Sequence, residues 1–405
     1  DIDLFSEEEK KILLSIITVV NYEAVWRKTQ FDKRWLKSKN YNPNVSGEYD
    51  RQWDMIILDE SHKIKNRTSK QAMMAHKLAL QAKYRYILTG TPICNGSLED
   101  IWSQFAFLQP YIGKRNAIYS TIFGGSYYDF LARYAVLNQW YQPYKYLHLA
   151  ELQSIIKQHS YRVLKKECLD LPEKLPDEVY HIELKDKARY KELHNYSTLE
   201  EIELVADNSL VRQLKLRQFC SGFISNVERH EDGTETTNII PVDNEKYDVL
   251  SDFLQDWDKK LVIFAEYTHS IEGICNVLED LKIKYVRLDG AQQNKNIWKD
   301  FQADESIRVI VCQYKSANAG IDLYAADTIL YFEPTISSNV LEQSRDRIHR
   351  IGQSQKCSYI HFITKGTIEE AIYKALQGFC DFNDKLFKQY MENYSKGISY
   401  RRSKN

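Results

Sequence analysis

Apolar positions along the chain fall into short runs separated by polar turns. In the first part, β-branched and apolar residues cluster at 15–20 and 55–58, and a third short run covers 86–88. Runs of this length, bounded by turn residues, predict strands. Between them, 69–82 has helical character. The strand at 55–58 ends on Asp59-Glu60 and the strand at 86–88 on Thr89-Gly90. A second alternation begins near residue 260. It predicts strands at 261–264, 285–288, 309–312, 328–332 and 359–363, and helices at 269–281, 340–349 and 368–376. Short apolar strands separated by helices indicate a parallel sheet.

The middle of the chain reads differently. Between 111 and 146 aromatics crowd together, among them Tyr119, Phe123, Phe130, Tyr134, Trp140 and Tyr144. Stacked bases are one use for such residues, but the core of a helical insertion is the better reading. Leu171-Pro172 through Pro176 predicts a turn or boundary. Residues 188–222 read as largely helical, 228–238 as an exposed loop, and 381–405 as a frayed end. The expected organisation is α/β. A first parallel-sheet region covers 1–110 and a second covers 241–380. A mainly helical insertion and linker lies at 111–240, with a tail at 381–405.

Composition narrows the class. The chain has 405 residues, 43% hydrophobic and 27% charged, with 15 Gly and 8 Pro. This excludes collagen-like, low-complexity and wholly disordered chains. No run approaches the roughly 18 apolar residues that a membrane span needs, and the acidic opening is not a signal peptide. The sequence opens on Asp1 rather than Met, so an upstream segment is expected. Lys and Arg number 55 against 56 Asp and Glu, a net charge of −1. Binding to nucleic acid would therefore depend on local basic surface. The seven cysteines show no C-x-x-C pair, which argues against structural zinc and for free thiols in a reducing compartment. No H-E-x-x-H or paired Cys/His spacing suggests a metal site.

The candidate chemistry sits after the strands. Leu58-Asp59-Glu60-Ser61-His62 follows a buried strand, where open α/β sheets bind ligands. In nucleotide hydrolysis, a first carboxylate there can hold Mg²⁺ and a second can activate water. Leu88-Thr89-Gly90-Thr91-Pro92 follows the next strand and could relay the state of a phosphate site. Downstream, Arg347 and Arg350 are spaced i, i+3 within 343–350. On a helix they would share a face, and two guanidiniums suit a developing phosphoryl charge.

With these pieces in order, 17–376 resembles the Swi/Snf-like ATPases of helicase superfamily two. The segment 17–27 (ITVVNYEAVWR) is similar to the family's DNA-contacting segment, which implies contacts from Asn21 and Tyr22. Asp59-Glu60-Ser61-His62 matches its D-E-x-H box and Leu88 to Pro92 its L-T-G-T-P box. The stretch 160–171 with Pro172 resembles its linker region, and 216–220 the helix that follows. The run 316–323 (SANAGIDL) resembles a motif touching DNA backbone and nucleotide, and 343–353 ends Arg-Ile-Gly-Gln as that branch does.

The resemblance implies two RecA-like lobes, the first truncated at its N-terminus, with ATP and Mg²⁺ between them and double-stranded DNA crossing both. It implies that Asp59 binds Mg²⁺, Glu60 activates water, and Arg347 and Arg350 complete the site. His62, Gly320, Asp322 and Gln343 would lie at the nucleotide, with Gln343 sensing the closed state. Thr89, Gly90 and Thr91 would couple site to track, and Ser316 would contact DNA. Asp322 departs from the Asn usual there, and Ala317-Asn318 replaces a frequent glycine pair.

The larger departure is the P-loop, G-x-x-x-x-G-K-[ST]. The only Gly-Lys pair is Gly113-Lys114, followed by Arg115, with Leu108 in place of the first glycine. The expectation is a C-terminal portion of a longer protein, or one half of a split one. An upstream segment or second chain would then supply the phosphate cradle. The expected function is an ATP-driven motor on double-stranded DNA, in a bacterial or phage-infected cytoplasm. The alternatives are a strand-separating DNA or RNA helicase and a non-catalytic DNA-binding remnant.

Overall fold

The computed structural model describes residues 17–23, 25, 52–93, 96–114, 117–196, 198–199, 204–205, 208–229, 235–294, 296–317 and 320–395. The chain divides into two compact units, Asp1–Arg162 and Val163–Asn405. Among the described residues, no helix is long and apolar enough to cross a membrane.

In the first unit, β1 (Trp53–Leu58) and β2 (Ala82–Ile87) run parallel, with Leu58 opposite Ile87. The helix α1 (Lys70–Ala79) joins them. It begins where the Ser69 side chain accepts the Ala72 amide at 3.2 Å, a cap typically worth about 1 kcal/mol. Its small residues Ala72, Ala75 and Ala79 bury against Ile64 and against Phe107 of α2 (Asp100–Leu108). Because β1 and β2 are parallel, the segments leaving them emerge at the same end. Asp59-Glu60 and Thr89-Gly90 are thereby brought side by side. Of the strand predicted at 15–20, residues 15 and 16 lie outside the described residues, and 17–20 form no strand.

The aromatic stretch is less helical than its composition suggests. It holds two antiparallel hairpins, β3 (Pro110–Ile112) with β4 (Ile118–Ser120) and β5 (Ala135–Leu137) with β6 (Pro143–Tyr146). Two helices accompany them, α3 (Tyr127–Tyr134) and α4 (Leu149–Gln158). The core reading holds for Phe123, Phe130 and Tyr134, which pack with Phe105 and Trp102. Trp140, Tyr141 and Tyr144 are exposed.

The second unit starts within the stretch read as insertion. It contains α5 (Lys165–Cys168), β7 (Glu178–Ile182), α6 (Lys187–Tyr196), the short strands β8 (Thr198–Leu199) and β9 (Leu204–Val205), and α7 (Ser209–Cys220). Where the sequence predicts a loop at 228–238, β10 (Phe223–Arg229) pairs antiparallel with β11 (Glu235–Pro241). Next come α8 (Lys246–Gln255), β12 (Leu261–Ala265), α9 (Thr268–Asp280), β13 (Tyr285–Leu288), α10 (Ile297–Ala303) and β14 (Val309–Gln313). The unit continues with α11 (Tyr314–Ala317), β15 (Thr328–Tyr331), α12 (Ser338–Arg345), β16 (Ser358–Thr364), α13 (Ile368–Gln377) and α14 (Asp384–Ser395).

Six strands form one parallel sheet in the order β13-β14-β12-β15-β16-β7. Side chains alternate along a strand, and here both faces are apolar. Val262, Phe264, Ile310, Cys312, Ile329 and Tyr331 face one core, with Phe219 of α7 and Ile372 of α13. Leu261, Ile263, Val309, Val311, Leu330 and Phe332 face the other, with Leu250 of α8 and Ile274 of α9. A parallel sheet sandwiched by helices is the α/β fold that the alternation predicts.

The boundaries differ from the sequence reading for physical reasons. Glu178–Ile182 adds β7 to the sheet edge by pairing with β16, so part of the stretch read as insertion belongs to the second unit. The predicted frayed end holds α14, whose Phe387 and Tyr390 sit one helical turn apart and bury in the core. The Tyr390 hydroxyl meets that of Tyr190 at 3.0 Å.

Candidate active site

In the first unit the chain turns sharply at Glu60, which adopts φ 52 and ψ 51. This left-handed conformation costs a non-glycine residue on the order of 1 kcal/mol. The turn is held by two backbone bonds: Ser61 N–H donates to Leu88 O at 3.0 Å and Leu88 N–H to Leu58 O at 2.8 Å. The turn brings the Glu60 carboxylate to His62, whose Nδ1 lies 3.0 Å from Oε2. The same Nδ1 is 3.4 Å from Thr89 Oγ1. Thr89 Oγ1 also accepts the Thr91 amide at 3.1 Å. Burial pushes His62 below its ordinary value, against the pull of Glu60. A neutral imidazole can then donate Nδ1–H to the carboxylate and orient it.

The two boxes are also joined beneath the surface. Ser61 Oγ donates to Gln104 Oε1 at 2.8 Å, and Gln104 Nε2 donates to Pro92 O at 2.6 Å. Gln104 is fully buried, so one amide ties the loop after β1 to the loop after β2. Tyr22 packs against the first box. Its hydroxyl donates to the Asp59 carbonyl at 2.8 Å. Burial, with the charges of Asp59 and Glu60, pushes the phenol up and keeps it a donor. It buttresses the box. Neighbouring Asn21 is exposed, and its carbonyl accepts the Val25 amide. Gly90 has open space where a Cβ would stand.

The residues fit a magnesium ion. Asp59 is exposed at the end of β1, and its Oδ1 takes the Glu60 amide at 3.0 Å. No group of three His, Cys, Asp or Glu is placed to hold a metal among the described residues. Magnesium is commonly held by one or two carboxylates, with phosphate and water oxygens completing the shell. Asp59 suits that arrangement.

In the second unit, α12 ends at Arg345, earlier than predicted. Arg347 and Arg350 therefore lie on the turns that follow, and their i, i+3 spacing does not put them on one helix face. Those turns are pinned by specific contacts. Leu323 N–H donates to Arg347 O at 2.9 Å, and the Ile348 side chain is fully buried. Gln353 Nε2 donates to Ala326 O at 2.8 Å. Gly352 has φ 103, and the Tyr324 ring lies 3.2 Å from where a Cβ would be. The Arg-Ile-Gly-Gln ending is thus a packing device: the glycine admits Tyr324 and the glutamine bonds the turn to the loop before β15.

Arg350 Nε forms an ion pair with Asp322 Oδ1 at 2.8 Å. This gives the unusual Asp322 a partner within the chain. Burial pushes the Cys312 thiol of β14 up, and the charge of Arg347 opposes the shift. Gly320 has φ 48, a left-handed conformation suited to glycine. Gln343 lies partly exposed on α12, and Ser316 is half-buried on α11.

The structure thus gathers Tyr22, Asp59, Glu60, His62, Thr89 and Thr91 in one cluster, and Asp322 and Arg350 in another. Sequence reasoning did not pick out Gln104. Gln353 was legible in the Arg-Ile-Gly-Gln ending, whereas a lone Gln104 within an apolar helix gives no such signal.

Comparison with known proteins places the chain in a family. The SNF2-related domain matches residues 15–222, just over half the chain, and the helicase conserved C-terminal domain matches 245–352. The chain belongs to the SNF2-related family, in which a helicase C-terminal domain follows here. It is 27% identical over 352 residues to an uncharacterized ATP-dependent helicase of Mycoplasma genitalium, covering 84% of this chain and 30% of that protein. It is 25% identical over 338 residues to chromodomain-helicase-DNA-binding protein 1-like of Mus musculus, covering 80% and 35%. A Sulfolobus solfataricus SWI2/SNF2 ATPase core in complex with dsDNA is 25% identical, covers 94% of this chain and 73% of that one, and gives a TM-score of 0.36. At that score the likeness carries no architectural detail. The chain spans about a third of the length of the curated relatives it matches.

Proposed function

We propose that this chain forms part of an ATP-driven motor that moves on double-stranded DNA. The carrying observation is the junction of the two boxes, where His62 touches both Glu60 and Thr89. A residue that orients the water-activating carboxylate is thereby linked to the neighbouring loop, and hydrolysis can be coupled to movement. Asp59 would hold Mg²⁺, which would supply neutralisation of phosphate charge. Glu60 takes the proton of the attacking water, with His62 fixing the carboxylate. Arg347 and Arg350, in the second unit, carry the cations that the resemblance assigns to nucleotide phosphates. Family membership and the names of relatives support ATP and DNA as ligands.

The phosphate cradle comes, in this reading, from a segment outside the 405 residues. Among the described residues β1 and β2 pair only with each other, and Met55, Ile57, Tyr84 and Tyr86 stay exposed. A strand added to this sheet would cover such a surface. The test is ATP hydrolysis by the full-length protein. Duplex DNA should stimulate it more than single strands, and added salt should weaken the effect because contacts to phosphate dominate. Stimulation by single strands alone, with unwinding, would favour a strand-separating helicase. Absence of hydrolysis with either would favour a DNA-binding remnant.

A further inference from the structure

The turn that carries Arg347 and Arg350 is held on one side by the loop before β15, through Leu323 and Ala326, and by the buried Ile348. Its other side is held by the segment 165–177. Lys165 Nζ lies 2.7 Å from Asp346 Oδ2, and Lys174 Nζ lies 3.2 Å from Asp346 Oδ1. Three residues on, His349 Nε2–H donates to the Pro172 carbonyl at 2.8 Å. The segment then runs beside the residues following the turn. Leu175 N–H donates to Cys357 O at 2.8 Å and Cys357 N–H to Glu173 O at 3.1 Å. Asp177 pairs with Arg345, immediately before Asp346. Burial alone would raise the Asp346 carboxyl. The two ammonium groups outweigh it and hold the carboxyl below the usual range.

We propose that Asp346 is a positioning residue, clamped between Lys165 and Lys174 so that the path of the segment 165–177 sets the placement of Arg347 and Arg350. This rests on the arginines acting on the nucleotide as proposed above. The chain makes the clamp asymmetric. Residues 173–177 are tied to 356–357 and continue into β7, whereas α5 meets the turn through the Lys165 side chain. Displacing α5, which begins just after the unit boundary at Arg162, removes one of the two cations on Asp346 and frees the turn on that side. The segment would thus act as a lever on the arginines without touching the nucleotide.

Two measurements on the full-length protein test this. In DNA-stimulated ATP hydrolysis, Asp346→Asn and the double variant Lys165→Ala/Lys174→Ala should each lower kcat roughly 10- to 100-fold, the cost of misplacing a catalytic group by about 1 Å. KM for ATP and the melting temperature should stay near wild type. Asp346→Asn added to the double variant should cost nothing further, because both remove the same interaction. In hydrogen exchange, the double variant should lose protection at amides 346–353 while β12 and β15 keep theirs. A kcat within twofold of wild type for Asp346→Asn, or a loss matched by a lower melting temperature, would overturn the proposal. So would unchanged protection at 346–353, a readout that stands even if the protein hydrolyses no ATP and the functional reading itself fails.

Discussion

Arg350 Nε and Asp322 Oδ1 lie 2.8 Å apart, in an ion pair that leaves both side chains partly exposed at 44% and 34%. To meet a phosphate, the guanidinium must leave this carboxylate. An exposed pair is worth about 0.2–1 kcal/mol, so the restraint is small and a nucleotide can break it. Asp322→Asn should therefore raise DNA-stimulated kcat, by up to about fivefold. Arg350→Ala should lower it by roughly 10³–10⁵. Steady-state kinetics of both variants check this. A fall in kcat for Asp322→Asn would mean that the aspartate aims the arginine rather than restrains it.

Gln104 joins the two boxes through Ser61 and Pro92 from a fully buried position. Replacing it by Leu keeps the volume but strands the Ser61 hydroxyl and the Pro92 carbonyl. An unsatisfied buried polar group costs about 1–3 kcal/mol. Chemical denaturation of Gln104→Leu should show a loss of that size, with a matching fall in ATP hydrolysis. Stability equal to wild type would show that the amide does not tie the loops.

His76 supplies a pH signature. It is buried between α1 and α2, and its Nε2–H donates to Ser103 O at 2.8 Å. Burial lowers its pKa from 6.5 to about 4. Between those values the unfolded chain binds more protons than the folded one, so stability falls as pH drops. The contribution is full above pH 6.5 and is lost progressively toward 4. From pH 7 to pH 4 the wild type should lose about 3 kcal/mol more than His76→Gln. Parallel stability curves for the two proteins would contradict this.

The six-stranded sheet was legible because its central strands, such as 261–264, 309–312 and 328–332, are nearly continuous apolar runs, and the first unit's strand pair because its members end on Asp59-Glu60 and Thr89-Gly90. The D-E-x-H and L-T-G-T-P residues were legible as candidates for the same reason, and the structure places them side by side. What failed to show was longer in range. Strand β7 is exposed at Glu178, Tyr180 and His181, lacks a continuous apolar run, and pairs along one edge with β16. Helix α14 carried a readable Phe387–Tyr390 spacing, but its terminal position and many charges disguised it. The arginines were found by spacing, yet their helix stops at Arg345, where the chain turns to let Ile348 reach the core. The Asp346 clamp joins residues far apart in sequence, and such pairs leave no local pattern.

The central claim is that Glu60, turned back onto His62 after β1, takes the proton of the attacking water. ATP turnover by full-length Glu60→Gln with saturating duplex DNA tests it most directly. Asp59 remains to hold Mg²⁺, so nucleotide affinity should stay within a few-fold of wild type while kcat falls by roughly 10²–10⁴. Turnover at the wild-type rate in that variant would contradict the account.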